Sequence, residues 1–270
     1  MSVAPITAVR PVVDRGRVLR RRPHRVARVL GLLALLLAWE LLTRTGWVPA
    51  LFLPAPSAVL AAGVEMLRSG ELLVHVATSL RRILLGFALG AVGGVAVGLA
   101  VGVFSLADAV GTPIIAATFP VPKIALLPLL ILWLGIGEAS KVAVITLGVF
   151  FPMAINTYAG VRHADPLLLR AAVSFGAGRV SLIRKVMLPS ALPMIFAGLK
   201  LGAGTALLLL VAAEMIAASS GVGYLILNAQ NLMETTTLMV GIVLLSILGL
   251  LSHWLLVRLE RLALPWKAES

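Results

Sequence analysis

Three uncharged stretches constrain this chain more than any other feature. Residues 83–107 run 25 positions without a charge, residues 142–161 run 20, and residues 235–257 run 23 with His253 as their one titratable group. About 20 apolar residues cross the hydrocarbon of a bilayer as a helix. Within lipid the backbone must satisfy its own hydrogen bonds, and a helix does so inside one segment. The sequence therefore predicts an all-α integral membrane protein. A chain that is 60% hydrophobic and 13% charged, with a mean hydropathy of +1.05, fits that class and not a soluble domain. No segment outside the apolar runs is long enough to fold alone, so the 270 residues read as one polytopic domain.

In chain order, residues 1–28 form a basic tail with eight arginines against one acid, Asp14, and with Pro5, Pro11 and Pro23 opposing a continuous helix. No clear small-residue cleavage site follows, which favours an uncleaved anchor over a signal peptide. The arginines set topology and can touch anionic membrane lipid at about 1 kcal/mol each. The transmembrane domain is placed at 29–260 and a second tail at 261–270. Helix one is expected over 29–47, with Glu40 and Arg44 on one face neutralising each other. Residues 52–79 read as a connector, broken by Pro54 and Pro56, with a short amphipathic helix at 57–67. Helix two, 80–104, carries Gly86, Gly90, Gly94, Gly98 and Gly102, whose missing side chains let a neighbouring helix approach. Steps of four overshoot a helical turn by about 40°. Five glycines thus drift about 160°, and packing against two neighbours is expected.

Residues 106–119 read as a cytoplasmic turn leading into helix three, with Pro120 and Pro122 kinking the entry and Lys123 marking the inner boundary. Pro128 lies inside the apolar run that follows. Broken membrane helices persist only where the freed backbone is covered by protein or faces a wet cavity. The three prolines are therefore pathway candidates, beside the alternative that the kink serves packing alone. Helix four spans about 142–161, helix five 191–213 and helix six 237–257. Glu214 ends helix five, and a Ser/Gly break at 219–223 re-enters the membrane. Glu214, Ser219 and Ser220 complete the pathway candidates. About six helices with both termini on one side put 18 of the 23 Lys and Arg residues inside and five outside, namely Arg44, Arg68, Arg81, Arg82 and Lys141. Positive charge concentrates on the cytoplasmic side of membrane proteins, so both termini are expected there. The net charge of +12 is explained by topology, and nucleic acid is not an expected partner.

The basic stretch 169–189, LRAAVSFGAGRVSLIRKVMLP, is too charged to span a bilayer. Asp165 can cap a helix and Pro166 suits its first position. A helix to about Phe175, a turn at Gly176 and Gly178, a second helix over 180–187 and a stop at Pro189 are expected. The result is a helix–turn–helix beside the membrane, between helices four and five.

Some chemistry is missing from the sequence. There is no cysteine, which excludes disulfides and thiol catalysis. There is no G-x-x-x-x-G-K-[ST] to bind ATP and no H-E-x-x-H. His24, His75, His163 and His253 are isolated, and no catalytic constellation or metal set stands out. An ion-driven carrier would call for intramembrane carboxylates. Only Glu40 and Glu214 come near, and both are placed at interfaces.

The spacing Ala171-Ala172, three residues, Gly176, nine residues, Val186, one residue, Leu188-Pro189 resembles the loop by which permeases of bacterial ABC importers dock on their ATPase subunits. Arg170 stands where that family has Glu, and Val186 where it usually has Ile. FLPAPSAVL at 52–60, PLLILWLGIGEASK at 128–141, AEMIAASSGVGYLI at 213–226 and RLERLALPW at 258–266 resemble the sulfonate, taurine and nitrate branch. The resemblance implies a permease in the bacterial inner membrane that is not itself an enzyme. Its expected partners are ABC ATPase subunits carrying the ATP and Mg, a second permease copy in a homodimer, and an extracytoplasmic substrate-binding protein. The coupling loop, about 163–189, would act as a lever. Phe175 and Val180 would enter an ATPase cleft, while Arg179 and Arg184 meet acidic groups. The bland reading of these side chains is a helix lying on lipid headgroups. The implied substrate is a small oxyanion: aliphatic sulfonate, taurine or nitrate. Importers of another small solute, such as a pyrimidine precursor, and ion-coupled carriers remain as alternatives.

Overall fold

The computed structural model describes residues 25–265. Most of the basic tail, and residues 266–270 with Lys267, lie outside that range. The chain forms α1 (Arg25–Arg44), α2 (Pro56–Arg68), α3 (Glu71–Val103) and α4 (Ser105–Thr118). A 3-10 turn at Lys123–Leu126 leads into α5 (Leu127–Leu134). Then follow α6 (Glu138–Arg162), α7 (Pro166–Ser174), α8 (Arg179–Leu182), α9 (Leu188–Ala217), α10 (Val222–Asn231) and α11 (Thr235–Ala263). Among the described residues, four helical runs are long and apolar enough to cross a membrane: α3, α6, α11 and the continuous run Arg179–Ala217. A fifth arises if α4 and Lys123–Leu134, bent by 89°, are one broken span. α1 occupies the place expected for helix one, and Leu30, Leu35 and Leu37 on it are exposed, as lipid contact requires.

The core is organised on α6. Val144, Ile145, Val149 and Met153 are fully buried there, together with Leu210 and Ala213 of α9. All five glycines of the α3 row face α6. A Cβ on Gly86 would lie 2.6 Å from Ile145, on Gly90 2.7 Å from Val149, on Gly94 2.4 Å from Met153, on Gly98 2.7 Å from Thr157 and on Gly102 2.7 Å from Val161. This corrects the expectation of two neighbours. The partner positions on α6 also advance by fours, and in the same direction, so the two helices run parallel. A shared four-residue period drifts equally on both, and the pair stays matched by winding around each other. α9 takes the other side of α6 in the opposite direction. Gly160 meets Ala191, while Gly198 meets Asn156.

Three further expectations are corrected. α3 begins at Glu71 and not at residue 80, because its first turns carry His75, Ser79 and Arg82, polar groups that are buried against partners. Pro189 does not stop a helix. It lies in the first turn of α9, after a π-helical turn at Ile183–Met187. Proline crowds the carbonyl four residues earlier, and the wider π turn relieves that contact. Lys123 is not at a boundary. Its Nζ sits 4.2 Å from the ring centre of Phe151, halfway along α6. Residues read as a turn form the 14-residue helix α4, about 21 Å long, which carries the chain to mid-bundle before the break.

Gly94→Ala should lower the thermal midpoint in detergent, at a cost of about 1–3 kcal/mol for overpacking. Gly93→Ala, whose Cβ would meet only the Phe150 ring at 3.5 Å, should leave the midpoint nearly unchanged.

Candidate functional site

Three features carry chemistry. The first is the basic helix–turn–helix. The Asp165 carboxylate accepts from the Leu167 N–H at 2.7 Å, capping α7. The helix ends in a paired closure: Gly176 N–H donates to the Val173 carbonyl at 2.9 Å and Ala177 N–H to the Ala172 carbonyl at 3.0 Å. That closure needs a left-handed residue, and Gly176 supplies φ +78°. No residue of α7 is buried. Phe175 is 92% exposed, and Leu167, Val173 and Val180 are more than half exposed. Ala172, Phe175, Gly176, Lys185 and Val186 line a shallow groove at the turn. Arg170 is exposed and its Nε donates to the Pro166 carbonyl of its own helix at 3.3 Å. Ala171 is exposed beside it, and Leu188 and Pro189 are half-buried at the start of α9. Arg179 lies over the Phe104 ring at 5.7 Å, against the start of α4.

The second feature is a buried polar clasp at the opposite end, where α6 begins. Arg82 of α3 is 2% exposed and Glu214 of α9 is fully buried. Arg82 Nη1 donates to Glu214 at 2.8 Å and to the Ser220 carbonyl at 2.6 Å. Its Nε and Nη2 donate to Glu138 at 2.9 and 2.6 Å, and Arg81 adds a contact to Glu138 at 3.1 Å. Ser79 donates to Glu214. The opening N–H groups of α10 have no partner in their own helix, and the clasp supplies them. Val222 N–H donates to the Ser79 hydroxyl at 2.9 Å, and Gly223 N–H donates to Glu214 at 2.8 Å. Gly221 N–H donates to His75 Nδ1 at 3.1 Å. Gly221 itself has φ +121°, and a Cβ there would strike the Glu214 carboxylate.

Glu214 is therefore fully buried and spent on these donors. Ser219 is exposed and Ser220 half-buried beside it.

The third feature is the break between α4 and α5. Pro120 and Pro122 are exposed in it, and Pro128 sits in the opening turn of α5. Lys123 Nζ donates to the carbonyls of Thr118, Phe119 and Val121 at 2.8, 2.8 and 2.7 Å.

The chain matches the family described as binding-protein-dependent transport system inner membrane component over residues 90–263. It belongs to that family. Among relatives, it is 38% identical to the taurine transport system permease protein of Escherichia coli strain K12 over 252 residues, covering 91% of this chain and 92% of that one. It is likewise 38% identical to a putative aliphatic sulfonates transport permease protein of Bacillus subtilis strain 168 over 229 residues, 85% and 83% of the two chains. A solved structure described as inward-facing conformations of the MetNI methionine ABC transporter shares the fold. The TM-score is 0.61 at 24% identity, covering 71% of this chain and 95% of that chain.

In this permease the helix–turn–helix follows from local sequence signals, whereas the clasp joins residues far apart in the chain. The charge count places Arg81, Arg82 and Lys141 on the outer side of the membrane and names no partner for them; Arg82 and Lys141 are buried, with Lys141 Nζ donating to the Gly137 carbonyl at 2.9 Å. His75, read as isolated, also belongs to the clasp and stacks on Tyr224. The available signal was an arginine next to a long apolar run and a glutamate at the end of another, two charges that demand partners in a membrane.

Arg82→Leu should destabilise the permease by about 3–5 kcal/mol, because it leaves Glu214 buried without its cation. Glu214→Leu should cost less, since Arg82 keeps Glu138. Thermal unfolding of the two variants in one detergent would order them.

Proposed function

We propose that this permease is the membrane subunit of an ATP-driven importer for a small sulfonate, taurine or a simple aliphatic sulfonate. The identity of 38% over nine-tenths of the chain with a taurine permease carries the reading. Residues 163–189 face the cytoplasm and receive an ABC ATPase, which binds the ATP and Mg. Both termini lie on the same side, and the clasp end faces outward, where a binding protein delivers substrate. The permease works with a second copy of itself in a bacterial inner membrane. The exposed Phe175 and Val180 supply apolar contact with the ATPase, and Arg179 and Arg184 add charge. Arg170 changes the charge at that contact without changing its spacing.

A second reading keeps the architecture and changes the cargo. The riboflavin transport system permease protein of Chloroflexus aurantiacus is 33% identical over 88% of both chains, so an importer of another small solute is its form.

The chain has no cysteine, so Ala177→Cys introduces a single thiol at the turn. Co-expressed with its ATPase bearing surface cysteines, it should give a specific crosslink whose yield changes with ATP. A thiol reachable only from outside the cell would overturn the orientation and the coupling role together. Phe175→Ala should reduce sulfonate uptake at least tenfold in vesicles with the ATPase and binding protein. It should shift the thermal midpoint of the isolated permease by no more than about 0.5 kcal/mol equivalent, as expected for an exposed side chain. Uptake that collapses with the ion gradient at constant ATP would instead assign an ion-coupled carrier.

A further inference from the structure

A positive charge sits at the middle of the bundle with no carboxylate to answer it. Lys123 lies at the 89° break between α4 and the helical segment Lys123–Leu134, beside Phe151 at the centre of α6. Among the described residues no Asp or Glu oxygen lies within 4.0 Å of its Nζ, in contrast to Arg82, Arg81 and Lys200, each of which has a carboxylate partner. Its three donors go to the carbonyls of Thr118, Phe119 and Val121. Carbonyl dipoles and the Phe151 ring hold the ammonium in place but leave its formal charge uncancelled. An ionisable group in a membrane interior is costly unless paired or facing a wet cavity.

Lys123 does face a cavity. It opens between the break, α6 and α9, and has a volume of about 490 Å3, within the range of about 300–1,000 Å3 usual for small-ligand pockets. Beyond Lys123, its polar wall is Asn156 and Thr205, and Phe119, Phe151 and Leu201 are among its apolar lining. The Asn156 amide donates one N–H to the Pro152 carbonyl at 2.8 Å, which leaves a second N–H. The Thr205 hydroxyl bonds its own helix at Leu201 and can rotate to another acceptor. A cation, an amide N–H and a hydroxyl beside aromatic rings match an anionic headgroup carrying a short apolar chain. Discontinuous helices at mid-membrane are where transporters build such sites.

We propose that this cavity is a transit subsite for the sulfonate group of the substrate, with Lys123 supplying the charge and Asn156 and Thr205 the hydrogen bonds. The substrate class rests on the function proposed above, whereas the preference for an anion rests on Lys123 alone. The competing account is that Lys123 only ties down the broken helix.

The test uses the full-length permease in lipid nanodiscs with Thr205→Cys as its one thiol. Two methanethiosulfonate reagents of similar size are compared, one ending in a sulfonate and one in a trimethylammonium. Each rate is normalised to that of a free thiol in solution. The sulfonate reagent should react faster. Lys123→Gln should lower the ratio of the two rates at least tenfold, and Lys123→Arg should preserve it. A ratio that favours the cation, or one that Lys123→Gln leaves unchanged, overturns the subsite. Should Lys123→Gln fail to assemble, protection decides in the Lys123 protein. Ethanesulfonate should slow the modification of Thr205→Cys and tetramethylammonium should not; equal effects of the two overturn the proposal. If reagent selectivity holds while vesicles take up no sulfonate, the cargo assignment falls and the anion subsite stands.

Discussion

Two helix backbones touch only where no side chain separates them, and the α3–α6 seam is the contact on which the rest of this permease depends. Five glycines on one helix receive five larger residues of the other, in matched steps of four. Lipid tails are as apolar as leucine, so burying more leucine brings little gain inside a bilayer. Close packing does the holding. Once α6 is fixed against α3, its other face offers Gly148 and Gly160 to α9. The three helices then define the bundle. The more exposed elements, α1 and α4, are attached to it through fewer buried side chains.

The clasp follows from that arrangement. α3 and α9 both lie on α6, which brings Arg82 and Glu214 to one level at its start. Residues 132 positions apart in sequence form a direct ion pair, and Glu138 at the first turn of α6 joins them. The Glu214 carboxylate and Ser79 of α3 satisfy the opening of α10. The short helix α10 can exist there because its orphan N–H groups are met by side chains that other helices bring in. In an apolar setting those groups would otherwise be unpaired. At the α1 edge the same device recurs on a smaller scale: Glu40 accepts from the Ser57 N–H and hydroxyl, fixing the start of α2 to the end of α1.

Local signals were legible in the sequence. Charge-free runs located the long helices, Asp165 and Pro166 located the start of α7, and Gly176 located its end. These depend on residues within a few positions of one another. Contacts set by tertiary packing were not legible. The glycine row was visible, but its single partner was not, because matching it requires the four-residue row on α6 to be read at the same time. His75, Ser79 and Arg82 made the start of α3 look like a connector, since a polar residue reads as exposed until its partner is known. Lys123 looked like a boundary marker for the same reason. Its carbonyl cage forms only after the chain has turned by 89°. Pro189 carried a rule that is sound for a regular helix and was overridden by one π turn.

The unbroken run from Arg179 to Ala217 joins the two ends of the molecule. Its 39 residues make a rod about 58 Å long, with Arg179 at the turn and Glu214 three residues from the far tip. Its hydrogen-bonded backbone transmits tilt with little loss. A rocking of about 5° about one end displaces the other by roughly 5 Å over that length. That exceeds the span of any hydrogen bond in the clasp. A shift of that size at Glu214 is incompatible with its hydrogen bonds to Arg82, Ser79 and the Gly223 N–H, so the closed clasp and a tilted rod exclude one another.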